Sequence, residues 1–199
     1  YKLILSMSKL SILKKFDPEQ HFFTDPFPHV VIRNCLDDDI YQRLYENFPV
    51  KLIKDNFNII QEHTYRCLAN DVLVEKKIPV NPIWQEFFEY HTSQDYFKTV
   101  IKLFEKYMPN YQWLEQQTAR IRNTQGDTKV VTDTQFVVHQ PYHTTTRTTH
   151  IDNPIEFYAG LLYFRQRGDR SSGGDFMIYD SPEIKDVYKK KGREIPENI

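Results

Sequence analysis

The spacing of apolar residues predicts helices in the first half of the chain. In "LDDDIYQRLYENFP", Ile40, Leu44 and Phe48 recur every four residues, which places their side chains on one face of a helix. Asp37 stands where an N-cap residue is expected, with further acids in the first turn. Pro49 ends the pattern, because proline cannot continue a helix. We therefore predict an amphipathic helix between Asp37 and Pro49.

A second helical region follows in "NPIWQEFFEYHTSQDYFKTVIKLFEKYMPN". Asn81 is suited to cap a first helix, with Pro82 at the position where proline is tolerated. Ser93 or Thr92 is suited to cap a second helix. The apolar residues of the second helix recur at helical spacing and predict a buried face made of Phe97, Val100, Ile101, Phe104 and Met108.

From Lys129 onward the pattern favours strands. The stretches "KVVTDTQFVVHQ", "IEFYAGLLYFRQ" and "GGDFMIYD" are rich in β-branched and aromatic residues and are separated by turn-forming ones. A short strand is also predicted at residues 29–32, whereas residues 51–80 give no clear pattern. We predict an α+β protein with a mainly β core, in which residues 1–128 form a helical support region and residues 129–199 form strands of one overall domain.

Composition and charge exclude several classes. Hydrophobic residues make up 40% of the chain and aromatic residues 15%, enough for a packed core. The 26 basic and 27 acidic residues nearly balance, so nothing calls for a nucleic-acid or membrane-surface partner. No apolar run approaches the roughly 20 residues that cross a bilayer. With only Cys35 and Cys67, the chain lacks a disulfide framework, and we expect a cytoplasmic protein.

The chemistry of the sequence is concentrated at His150 and Asp152. In a strand, side chains two residues apart point to the same side, so these two groups would share a face. Together with one more histidine they would form a 2-His-1-carboxylate triad, the ligand set of non-haem Fe(II) oxygenases. The bare spacing is common by chance, and its context therefore decides how much weight it carries.

That context resembles the 2-oxoglutarate- and Fe(II)-dependent oxygenases of the prolyl hydroxylase type. "THIDNP" is followed by a segment ending "GLLYF", a polar turn and "GGDFMIY", while "DPFPHVVIRNCLDDDIYQRLYENFP" is similar to the start of those proteins. The resemblance implies a double-stranded β-helix, or jelly-roll, with His150 and Asp152 as catalytic ligands of Fe(II). It also implies 2-oxoglutarate as co-substrate, dioxygen as oxidant, and hydroxylation of a C–H bond in a protein or peptide side chain (proline-type) or in a small molecule.

The resemblance extends to residues that would hold the co-substrate. Tyr163 matches the family tyrosine that helps to bind the distal carboxylate of 2-oxoglutarate. The family also places a hydrogen-bonding tyrosine about ten residues before the first ligand, and here Gln140 and Tyr142 both remain candidates. The third ligand should be a downstream histidine, but no histidine follows His150. Only about half of the β-helix strands are recognisable, and we expect this stretch of chain to stop before the fold is complete.

Two other functions remain open on the sequence alone. One is a double-stranded β-helix binding module that has lost catalysis. The other is a zinc-dependent hydrolase that uses His139, His143 and His150. The H-x-x-x-H spacing of the first two histidines suits zinc on a helix, but Pro141 lies between them in a β-like context, which argues against such a helix.

Overall fold

The helices of the first half form where local signals predict them. The computed structural model describes residues 7–60, 64–140, 156–164, 168, 170 and 172. The chain divides into two compact units, residues 1–139 and residues 140–199. The α-helices of the described residues are α1 (Pro18–His21), α2 (Asp38–Glu46), α3 (Val50–Asn56), α4 (Ala69–Leu73), α5 (Pro82–His91), α6 (Gln94–Leu103) and α7 (Tyr111–Glu115), and a short 3-10 helix lies at Glu105–Tyr107.

The predicted caps of α5 and α6 are confirmed. The Asn81 side chain accepts a hydrogen bond from the Ile83 amide at 3.1 Å, and the Ser93 hydroxyl accepts one from the Tyr96 amide at 3.2 Å. Each cap satisfies an amide that has no partner inside its helix. The predicted face of α6 is buried at Phe97, Val100 and Ile101. The last two residues predicted for that face follow the end of α6 at Leu103 and are only half-buried, namely Phe104 and Met108.

The predicted capping role of the Asp37 side chain is wrong, although the predicted start of α2 is right. Helix α2 begins after Asp37, as expected, and Ile40 and Leu44 are buried. The Asp37 side chain makes no capping hydrogen bond. Its carboxylate instead pairs with Lys14 and Lys15, from a segment that precedes the helix by more than twenty residues. A local pattern cannot reveal this contact, because the lysines are distant in the sequence.

The strands form small sheets. They are β1 (Phe22–Phe23), β2 (His29–Val30), β3 (Thr64–Leu68), β4 (Ala119–Ile121), β5 (Val130–Thr132) and β6 (Gln135–His139). Strands β1 and β2 pair antiparallel, β3 and β6 pair antiparallel, and β4 and β5 pair parallel. The fold is therefore α+β, as predicted. Over the described ranges these sheets do not close into a barrel, because β5 and β6 take their partners from β4 and β3 rather than from a longer sheet.

The core of the first unit is aromatic. Phe136 of β6 is 2% exposed. Its ring centroid lies 4.8 Å from that of Trp84, 4.5 Å from that of Phe88 and 5.3 Å from that of Phe48. Trp84 also donates its indole N–H to the Leu44 carbonyl at 3.0 Å, so the polar end of the ring is satisfied inside the core. This cluster joins α5, α2 and the β3–β6 pair.

Two further contacts attach the β4–β5 pair to the helices. The Thr132 hydroxyl is buried and donates to the Thr92 carbonyl at 2.9 Å, at the turn between α5 and α6. The Gln94 side chain accepts from the Ala119 amide at 2.7 Å and donates to the Gln117 carbonyl at 3.0 Å. The β4–β5 pair is therefore attached at the α5–α6 turn and at the start of α6, while α5 also packs on the β3–β6 pair through Trp84 and Phe88.

Replacing Phe136 with alanine should strongly destabilise the protein. The change removes a buried ring that contacts three other aromatic rings, and such deletions cost about 3–5 kcal/mol. Urea denaturation followed by circular dichroism measures the loss. Val131→Ala is the matched control, since Val131 lies on β5 but is 43% exposed, and it should cost roughly 0.5 kcal/mol or less. Equal losses in the two variants would contradict the central place of Phe136.

Candidate functional site

The predicted metal ligands cannot be placed from this structure. His150 and Asp152 lie within residues 141–155, which are outside the described residues, and so does Tyr142. Their assignment rests on the sequence and stays a prediction. Gln140 and Tyr163 are described, and both belong to the second unit.

The surroundings of Tyr163 differ from those expected of a strand residue in a pocket. Residues 156–164 contain neither helix nor strand, although their composition predicted a strand. A strand is stabilised by hydrogen bonds to a neighbour, and no described residue pairs with this segment in a ladder. Tyr163 is 59% exposed and Leu161 is 61% exposed. The predicted inner face is therefore not formed by the described residues, whereas Gln140 is half-buried directly after β6.

Of the three histidines in the zinc hypothesis, His139 is the one that lies in the described part of the chain. It is the last residue of β6 and is exposed. A strand at this point agrees with the β-like context that argued against an H-x-x-x-H helix. In the part of the chain that the structure describes, no three histidine, cysteine or acidic side chains come close enough together to hold a metal ion.

A polar cluster lies where β3 meets α4: Cys67 and Asp71 are buried, and the half-buried Asp133 is near enough for its charge to act on the Cys67 thiol. Asp71 accepts a hydrogen bond from the Leu68 amide at 3.0 Å through Oδ2, and its Oδ1 lies 2.9 Å from Nζ of Lys76. These contacts fix the Asp71 carboxylate at the start of α4. Asp71 is therefore accounted for as a structural residue.

The Cys67 thiol in this cluster is not a candidate nucleophile. Cys67 is fully buried, and burial together with the negative charge of Asp71 raises the pKa of its thiol to about 12. The reactive form of a cysteine is the thiolate. At neutral pH this side chain is therefore protonated and serves to pack β3, opposite Phe136 in the β3–β6 register.

Asp133 is less well satisfied than Asp71. Burial raises the pKa of Asp133, while the charge of Arg122 and the nearby amides of Ala69 and Thr134 oppose the shift. Arg122 Nη1 lies 3.7 Å from Oδ2, and neither carboxylate oxygen accepts a hydrogen bond of ordinary geometry from the described residues. Sequence reasoning missed this cluster because Cys67 and Asp71 fall in residues 51–80, where no pattern was recognised.

Comparison of the chain with family models, with curated proteins and with solved structures gave no match. Among the described helices, none combines the length and the apolar character needed to span a membrane. The class that the structure supports is therefore an α+β protein with a helical, aromatic-cored first unit.

Replacing Asp133 with asparagine should increase the free energy of unfolding at pH 7. A carboxyl group whose pKa is raised on folding binds its proton more tightly in the folded state. Stability is therefore greatest below the unfolded pKa, near 3.8, and is lost as the pH rises towards the folded pKa. Asparagine has nearly the same shape and no charge, so the gain should be present at pH 7 and absent near pH 3.

Urea denaturation at both pH values measures this effect. Asp127→Asn is the matched control, since Asp127 is an exposed acid in the neighbouring loop, and it should leave stability nearly unchanged. Lower stability of Asp133→Asn at pH 7 would show that the interaction with Arg122 outweighs the cost of burial.

Proposed function

We propose that this chain carries the metal-binding segment of a 2-oxoglutarate- and Fe(II)-dependent oxygenase. The observation that supports the proposal is the order of elements in residues 149–179, where "HIDNP" is followed by "GLLYF" and then "GGDFMIY". An imidazole nitrogen and a carboxylate oxygen are donors that suit Fe(II). If residues 150–152 are extended, these two side chains would point to the same side and could bind one metal ion together.

Each residue has a separate task in this proposal. His150 and Asp152 bind the metal, which together with 2-oxoglutarate and dioxygen supplies the oxidising chemistry when bound. Tyr163 donates a hydrogen bond to the distal carboxylate of the co-substrate. Gln140 or Tyr142 provides a second hydrogen bond. The substrate class is a protein or peptide side chain, proline-type, or a small molecule.

Removing either proposed ligand should abolish turnover. In protein expressed from its full gene, His150→Ala and Asp152→Ala should lower 2-oxoglutarate decarboxylation by roughly 100-fold or more, since even the outer partners of metal ligands contribute 10–100-fold. Succinate formation with added Fe(II) and ascorbate under air measures this. The melting temperature of the first unit should change little, because both residues belong to the second unit. Unchanged succinate formation in either variant would overturn the assignment.

Matched histidine variants separate the oxygenase from the zinc hydrolase. His139→Ala and His143→Ala remove imidazoles that the oxygenase does not use, and they should retain turnover. If instead these two variants lose a zinc-dependent, 2-oxoglutarate-independent hydrolysis, the protein is a hydrolase. If the wild-type protein binds no Fe(II) under anaerobic conditions, the oxygenase proposal fails in favour of a binding module.

A further inference from the structure

The segment that precedes α1 is held against the helices of the first unit although it forms no helix or strand. In residues 8–16, here called the N-terminal strap, Leu10 is 2% exposed, Ser11 is fully buried and Leu13 is 8% exposed. Only short-range turn hydrogen bonds join strap residues to one another, such as those from the Ser11 and Lys14 amides. The position of the strap therefore depends on the groups that it contacts elsewhere.

One end of the strap is fastened by charge. Lys14 Nζ lies 2.8 Å from Oδ2 of Asp37, and Lys15 Nζ lies 3.3 Å from Oδ1 of the same carboxylate. Lys15 also donates to the Leu36 carbonyl at 2.6 Å. Hydrogen bonds from both lysines lower the pKa of Asp37, so this attachment to the start of α2 persists in mildly acidic solution.

Besides its buried leucines, the strap is attached by a hydrogen bond to a buried histidine. His91, the last residue of α5, is 5% exposed. Its Nδ1 lies 2.8 Å from the Phe87 carbonyl oxygen, and its Nε2 accepts a hydrogen bond from the Ile12 amide at 3.4 Å. A carbonyl oxygen can only accept, so Nδ1 must carry the proton of the neutral ring. Nε2 is then the bare nitrogen, and it is the one that binds the strap.

The hydrogen bond from the Ile12 amide and a proton on Nε2 of His91 cannot be present at the same time. A proton taken up by the ring can go only to Nε2, where its N–H would face the N–H of Ile12. Two donors cannot form a hydrogen bond, and a buried donor left without an acceptor is costly. The Ile12 amide would lose its acceptor at the same moment.

Among the described residues, aromatic rings rather than acids surround the imidazole. The imidazole lies against the rings of Phe87, Tyr90 and Tyr96, at centroid distances of 3.9, 5.1 and 4.6 Å. The two tyrosines are the titratable groups that α5 and α6 present to it, and phenols are neutral in acid. Burial lowers the pKa of His91 to about 4. The charged residues of the strap itself are the basic Lys9, Lys14 and Lys15.

We propose that residues 8–16 form a proton-operated strap, which is closed while Nε2 of His91 is bare and opens when that nitrogen is protonated. On opening, the imidazolium and the Ile12 amide both gain water as a partner, and Leu10 and Leu13 leave their buried positions. The lysine–Asp37 attachment stays in place, so the segment swings from its attached end rather than detaching. The inference does not depend on the proposed oxygenase activity.

Amide hydrogen exchange of the full chain between pH 7.5 and pH 4.5 tests the proposal. Protection factors of residues 10–13 should be lower than those of the α5 interior. Such a difference would show that the strap opens while α5 stays folded. They should fall by up to roughly tenfold for each pH unit below about pH 6, because the exposed histidine of the open strap has a pKa near 6.5 and binds its proton in proportion to the proton concentration. Equal protection of the strap and α5 at every pH, or strap protection that ignores pH, would overturn the proposal.

Two variants sharpen the result. His91→Gln keeps a neutral side chain that can accept from Ile12 but cannot be protonated, so strap protection should become independent of pH. His29→Gln is the control, since it removes a histidine that belongs to β2 and bonds the Phe27 carbonyl, and it should keep the wild-type pH dependence. The mechanism would be contradicted if strap protection no longer depended on pH in His29→Gln, or if it still depended on pH in His91→Gln. The wild-type measurement decides the matter by itself if His91→Gln does not fold.

Discussion

The packing of Phe136 against Trp84 and Phe88 is the contact on which the first unit depends. A two-stranded sheet such as β3–β6 is marginal by itself, because most of its apolar surface would face water. Phe136 packs its ring against the Trp84 and Phe88 rings of α5 and against the Phe48 ring. Trp84 in turn binds α2 by donating a hydrogen bond to the Leu44 carbonyl. One strand residue thus links elements that are distant from it in the chain.

The end of α5 also positions polar groups at the edge of that core. At the end of α5, His91 and Thr92 both turn their side chains back to carbonyls of the helix, those of Phe87 and Phe88. The Thr92 carbonyl, in turn, receives the Thr132 hydroxyl of β5, and the far nitrogen of His91 receives the strap. The end of α5 is therefore the point where a sheet and the N-terminal segment are both attached. It is also the point where a single proton changes the bonding.

Local chemistry could be predicted from the sequence, whereas distant pairing could not. Asn81 and Ser93 were identified as caps because a cap acts on amides two or three residues away. The pairing of β3 with β6 was not foreseen, since Thr64 pairs with the distant His139 and residues 51–80 carry no clear period. Asp37 was assigned to the helix end that it precedes, whereas its carboxylate is used by two distant lysines. Of the candidate site, Tyr163 is 59% exposed, and the roles of Tyr163, His150 and Asp152 all stay predictions from sequence.

Paramagnetic broadening by Mn(II) tests most directly whether a metal binds at His150 and Asp152. Mn(II) is a spectroscopic substitute for Fe(II) in sites with nitrogen and oxygen ligands, and it broadens the NMR signals of nearby amides. In the wild-type protein with 2-oxoglutarate, substoichiometric Mn(II) should erase the amide signals of residues 149–153 first. The same titration of the His150→Ala/Asp152→Ala double variant should leave the remaining signals of that segment sharp. Identical broadening in the two proteins, or no selective broadening in the wild type, would contradict the claim.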